Sequence, residues 1–109
     1  MTYIDALAWT YILETPVVLG LGRLWGCGLG RSLLAALIAS GSTHPVVWVL
    51  ALAMPIADYA TWGWYALEAG VCCVEAVILG RIMLFSPRRA WPLSILANSV
   101  SAFTGRYLL

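Results

Sequence analysis

The chain has 109 residues, 62% of them hydrophobic and 10% charged, with a formal net charge of +1 at pH 7. Soluble domains carry about 25% charged residues, so the whole length reads as an integral membrane protein and not as a soluble domain with an anchor. The mean hydropathy of +0.90 agrees, and no basic stripe supports nucleic-acid binding.

A membrane-crossing helix takes about 20 apolar residues, so four spans with short loops use up the length as a single domain, 1–109. Helices are expected because four spans are too few for a membrane barrel and the runs lack alternation. The first span is expected over residues 3–22, with no basic n-region or cleavage site to mark a removed signal peptide. A glycine-rich loop over 23–31 leads to a second span over 32–54. A turn at 55–59 leads to a third span over 60–85, then a loop at 86–89 and a fourth span over 90–109. Cys72 and Cys73 are adjacent on a helix and Cys27 lies in the first loop, which gives buried or lipid-facing thiols and no disulfide framework.

Arg23, Arg31, Arg81, Arg88 and Arg89 all fall around the first and third loops, whereas Asp5, Asp58 and Arg106 fall on the other side. The positive-inside rule then places both loops in the cytoplasm and both termini outside. Trp25, Trp62, Trp64 and Trp91 stand near span ends, as an interfacial aromatic belt predicts.

The chain repeats itself. Glu14 is followed by Thr-Pro-Val-Val-Leu-Gly-Leu-Gly-Arg23, and Glu75 by Ala-Val-Ile-Leu-Gly-Arg81. The segment from Arg31 to Thr43 then aligns without gaps to that from Arg89 to Ser101, matching Ala39 with Ala97 and Ser40 with Asn98. The expected fold is all-α: two parallel-repeat helical hairpins, about 3–54 and 60–109, related by an axis along the membrane normal.

A carboxylate at membrane depth costs about 2.5–3.5 kcal/mol on insertion scales, so Glu14 and Glu75 ask for a functional reason. At about 1.5 Å per helical residue, Glu14, Glu75, Asn98 and His44 lie within about one turn of a common level. Their simplest packing turns them inward as a polar core, with Glu68 nearer the outside. Glu68, Cys72 and Glu75 share one helical face; Ser94, Asn98, Ser101 and Gly105 share another, as do Ser40 and His44. Ser40, Thr43, Cys72, Ser94 and Ser101 are the supporting residues, and close helix packing explains the serines and glycines equally well. Pro16 and Pro45 free the carbonyls of Ile12 and Gly41; the second becomes an extra cation ligand near His44 and Glu14, or is patched by Ser42 or Thr43.

Glu14-x-Pro16, Thr43-His44-Pro45 with Trp48, Glu68, Glu75-Ala76 and Leu96-Ala97-Asn98-x-x-Ser101 with Gly105 together resemble a family of small bacterial multi-pass membrane proteins. The resemblance spans most of the chain. It implies a bacterial inner-membrane protein with a common polar core, and the family's Asn at the place of Ser40 would make the halves more alike. It implies no mechanism, because the family has no established activity.

Three functional classes fit. The leading one is an accessory or structural subunit of a larger membrane complex, whose polar core fixes its packing against other subunits or further copies of itself. The second is binding or transport of a proton or metal ion, with Glu14, His44 and Glu75 as candidate ligands of a divalent metal. The third is an intramembrane enzyme using Glu and His as base and acid, for which no nucleophile or zincin motif is present.

Overall fold

The computed structural model describes residues 2–107, leaving aside the side chains of Tyr59, Ala60, Arg106 and Tyr107. The described residues are helical, with no strand. Helix α1, Tyr3–Leu24, starts at a capping box: Asp5 N donates to Thr2 Oγ1 and Thr2 N to Asp5 Oδ2, each at 3.2 Å. Helix α2, Leu29–Ala53, stops at Met54, whose extended backbone (φ −83°, ψ 138°) is the conformation that the following Pro55 imposes.

The turn expected at 55–59 is instead a short helix α3, Ile56–Asp58, running into a π-helical turn, Tyr59–Gly63. Thr61 Oγ1 donates to the carbonyls of Ala57 at 3.0 Å and Asp58 at 3.2 Å, so a side chain satisfies groups that the wider turn leaves poorly paired. Helix α4, Trp64–Met83, follows, then α5, Pro87–Tyr107, with its proline at the first helical position, where no N–H is needed. The expected end of the last span at Leu109 lies outside the described residues. Pro16, Pro45 and Pro92 sit inside continuous helices. Ser42 Oγ bonds Ile38 O, and Thr43 Oγ1 bonds Ala39 O at 2.9 Å, on the turn before the carbonyl that Pro45 frees.

The four long helices form a ring in which α1 and α4 each pack on both α2 and α5. The body measures 43 × 24 × 21 Å. Helices α1 and α2 are long and apolar enough to cross a membrane; α4 carries Glu68, Glu75 and Arg81, and α5 carries Arg88, Arg89 and Arg106. Small residues fill the interior: Ser32, Ala35, Ala36 and Ala39 on α2 meet Ala76 and Leu79 on α4 and Ala90, Leu93 and Ala97 on α5. Large aliphatic side chains such as Leu33, Leu34, Leu37, Ile38, Val74 and Ile95 face outward. Leu79 and Leu93 are the largest fully buried side chains of this interior. Trp62 and Trp91 are exposed, in keeping with a belt, but Trp64 is buried: its ring packs 5.7 Å from that of Phe103, so it is an interior residue and not a surface anchor.

The two hairpins close alike. Cys27 N reaches Gly22 O at 2.7 Å and Phe85 N reaches Gly80 O at 3.0 Å, each around a left-handed residue: Gly26 (φ 85°) or Leu84 (φ 59°). A side chain in that conformation costs about 1–2 kcal/mol, and Leu84 is exposed and gains little packing in return. Leu84→Gly is therefore expected to raise stability by about 0.5–1 kcal/mol, and Gly26→Ala to lower it by about the same, in thermal unfolding in detergent. Equal loss in both variants would mean that Leu84 contributes packing beyond its backbone.

Candidate functional site

Two turns of sequence chemistry meet at the bundle axis. Glu14 on α1 is 4% exposed and Glu75 on α4 is 2% exposed. Both carboxyl groups line one cavity. Ser101 Oγ on α5 donates to Glu14 Oε2 at 2.7 Å, and Thr43 Oγ1 on α2 donates to Glu75 Oε2 at 3.2 Å. The bonds are exchanged: each glutamate takes its hydroxyl from the other hairpin, and Thr43 and Ser101 are aligned positions of the two halves. Asn98 closes the layer next to Glu75, with its amide held at 2.9 Å from Ser94 O and 3.3 Å from Ser94 Oγ. Ser94 Oγ in turn donates to Cys72 O at 2.8 Å, so the Cys72 residue enters the network through its backbone and not its thiol.

The polar residues of α2 and α5 follow one register. Ser32, Ala35, Ala36, Ala39, Ser40 and Thr43 turn inward on α2. Ala90, Leu93, Ser94, Ala97 and Asn98 do so on α5, with Ser101 half-buried. The closing turns keep this spacing, matching Gly22 with Gly80 and Gly26 with Leu84. At that spacing Glu14 falls opposite Cys72, so the glutamates are not corresponding positions as the repeated phrase suggests. Glu75 stands about one turn nearer its loop than Glu14, on the same helical face, and the long side chains close the gap.

A cavity of about 770 Å³ runs from the carboxyl pair toward the end of the bundle that carries the chain termini. Trp9, Trp48, Trp64, Leu13, Val47 and Val71 give it largely apolar walls. Thr10 and Glu68 are polar points on those walls, and Glu68 is half-buried. On the opposite side of the carboxyl pair the bundle is packed shut by Val18, Ala35, Ala36, Leu79, Met83 and Leu93. The carboxyls therefore lie at the floor of this cavity, next to the packed layer.

His44 lines the same cavity as Glu14, Glu68, Glu75 and Asn98, one residue beyond Thr43. Its ring lies 4.8 Å from Tyr3 and 6.1 Å from Trp48, and its Nε2 is buried without a partner. Aromatic contact across α1 and α2 therefore sets its position, not a carboxylate. Among the described residues no three His, Cys, Asp or Glu side chains are grouped to hold a metal, so Glu14, His44 and Glu75 do not form the expected ligand set. Sequence reasoning missed the aromatic walls and Tyr11, whose hydroxyl reaches Leu37 O at 3.1 Å and ties α1 to α2. No protein-family model, curated protein or solved structure matches the chain.

Proposed function

We propose that this chain is a four-span inner-membrane protein that binds a cation, in the first place a proton, at the Glu14–Glu75 pair. The observation that carries the reading is two buried carboxyls lining one cavity, with no cationic side chain bonded to them among the described residues. Two like charges about 4 Å apart repel by roughly 4 kcal/mol even at an effective dielectric of 20. Ser101 supplies one neutral donor to Glu14, the single hydroxyl proton of Thr43 is shared between Glu75 and Ala39 O, and the described arginines belong to the far end of the bundle. Charge balance therefore comes through the cavity, as a proton shared by the pair or as a bound cation.

The membrane reading is supported by the outward aliphatic side chains and the inward polar ones, and by helices whose length matches a bilayer core of about 30 Å. Five arginines at the loop end favour that end facing the cytoplasm, with the cavity open to the outside. A proton gradient across liposomes carrying the chain is expected to decay faster than across empty ones, with the packed layer at the arginine end opening transiently to pass the proton. Dicyclohexylcarbodiimide, which attacks protonated carboxyls in apolar surroundings, is expected to label Glu14 or Glu75 and slow that decay. Tight liposomes with neither residue labelled would sink the reading.

One observation favours the accessory-subunit reading. The exchanged hydroxyl–carboxyl bonds also clamp the two hairpins together, which a purely structural core would use. A partner co-purifying in fixed ratio in mild detergent, with no proton flux from the chain alone, is the outcome that selects it.

A further inference from the structure

A second, smaller cavity of about 300 Å³ lies between α4 and α5 at the arginine end. Val77, Gly80, Phe85, Ala90 and Trp91 make it apolar, and Arg81 is its charged lining residue. The two helices touch at its floor, where a Cβ on Gly80 would lie 3.1 Å from that of Ala90. Arg88 follows the lining residue Pro87 directly.

The arginines at this end are not equivalent. Arg31 donates to Ile82 O and Arg89 to Trp25 O, each at 3.2 Å, so both are spent on the last carbonyls of a neighbouring helix. Arg89 also lies 5.8 Å from the Trp25 ring. Arg81 and Arg88 are exposed and bond to nothing within the described residues. No carboxylate compensates them: the acidic residues of the chain are Asp5, Glu14, Asp58, Glu68 and Glu75, all on the other side or at the axis.

We propose that this groove holds an anionic phospholipid. An acyl chain lies in the slot between Val77 and Trp91, and the headgroup phosphate meets the Arg81 guanidinium, with Arg88 beside it. An apolar slot ending in unpaired guanidinium groups complements a lipid of that charge. A zwitterionic lipid gives the arginines no net charge to neutralise. The Trp91 indole sits where chain and headgroup meet, the level that tryptophan favours. The proposal rests on the membrane reading above.

The test is native mass spectrometry of the intact chain in detergent, titrated with phosphatidylglycerol or phosphatidylcholine. One phosphatidylglycerol per chain is expected to survive activation that strips phosphatidylcholine. Arg81→Gln is expected to weaken that binding about fivefold, the effect of losing one cation near an anionic lipid. Arg23→Gln, at the same end but outside the groove, is expected to leave it unchanged. Equal retention of both lipids, equal loss in Arg23→Gln, or displacement by glycerol 3-phosphate at the lipid's own concentration would each overturn the site. A chain that stays in phosphatidylcholine bilayers but ignores phosphatidylglycerol removes the lipid site alone. A chain that leaves bilayers for water without detergent removes the membrane reading itself.

Discussion

Glu75→Gln is expected to slow proton flux through the reconstituted chain about ten- to hundredfold, the loss that follows when one charged hydrogen-bonding partner worth about 1.5–3 kcal/mol is removed. Glu14→Gln is expected to do the same. Glutamine keeps the shape and an acceptor oxygen, so the bonds from Thr43 and Ser101 survive and the fold stays intact, which unfolding in detergent can verify. The informative variant is the double one. If the two carboxyls form one site, the double substitution costs little more than either single, because the first already removes the shared proton or cation. Two independent sites would instead give multiplied losses, and that result would break the pair into unrelated groups. Glu68→Gln is expected to have a smaller effect: Glu68 lies on the cavity wall, half-buried, and reaches the pair through space and not through a bond.

The burial of the polar residues was legible because apolar helices leave polar side chains few partners except one another. Glu14, Ser40, Thr43, Glu75, Ser94 and Asn98 are all buried, as their helical spacing implied. The inward residues of α2 and α5 were legible for a related reason: small residues recur wherever two backbones must approach. The aromatic neighbours of His44 were not legible, because Tyr3 lies on another helix, where no spacing rule reaches it. Trp64 was taken for an anchor because position near a span end says nothing of which way a side chain faces. The glutamates appeared to correspond because they share a repeated phrase. The closing turns fix the register instead, and they show the phrase to be about one turn out of step. The cavity was beyond sequence reasoning, since it is space left by four helices together.

The layer that seals the carboxyls from the arginine end makes the second large expectation. A Cβ added at Gly22 would fall against Ser32 Oγ and 2.7 Å from Met83 Cε. The Met83 methyl can swing aside, but Ser32 is fully buried and its hydroxyl already lacks a partner. Gly22→Ala is therefore expected to destabilise the chain by about 1–3 kcal/mol, measured by unfolding in detergent. Ser32→Ala alone is expected to be neutral or to stabilise by up to about 1 kcal/mol, because it deletes a buried orphan hydroxyl. It also reproduces the Gly80–Ala90 contact of the second hairpin, which shows what this packing tolerates. Combined with Gly22→Ala it should recover a large part of the loss, since the two changes share one contact. Strict additivity would mean that Met83, not Ser32, is the unyielding neighbour. Flux separates packing from access. If the proton crosses the packed layer without using this hydroxyl, Ser32→Ala leaves flux unchanged while it improves stability. A fall in flux would instead place the Ser32 hydroxyl on the route through that layer.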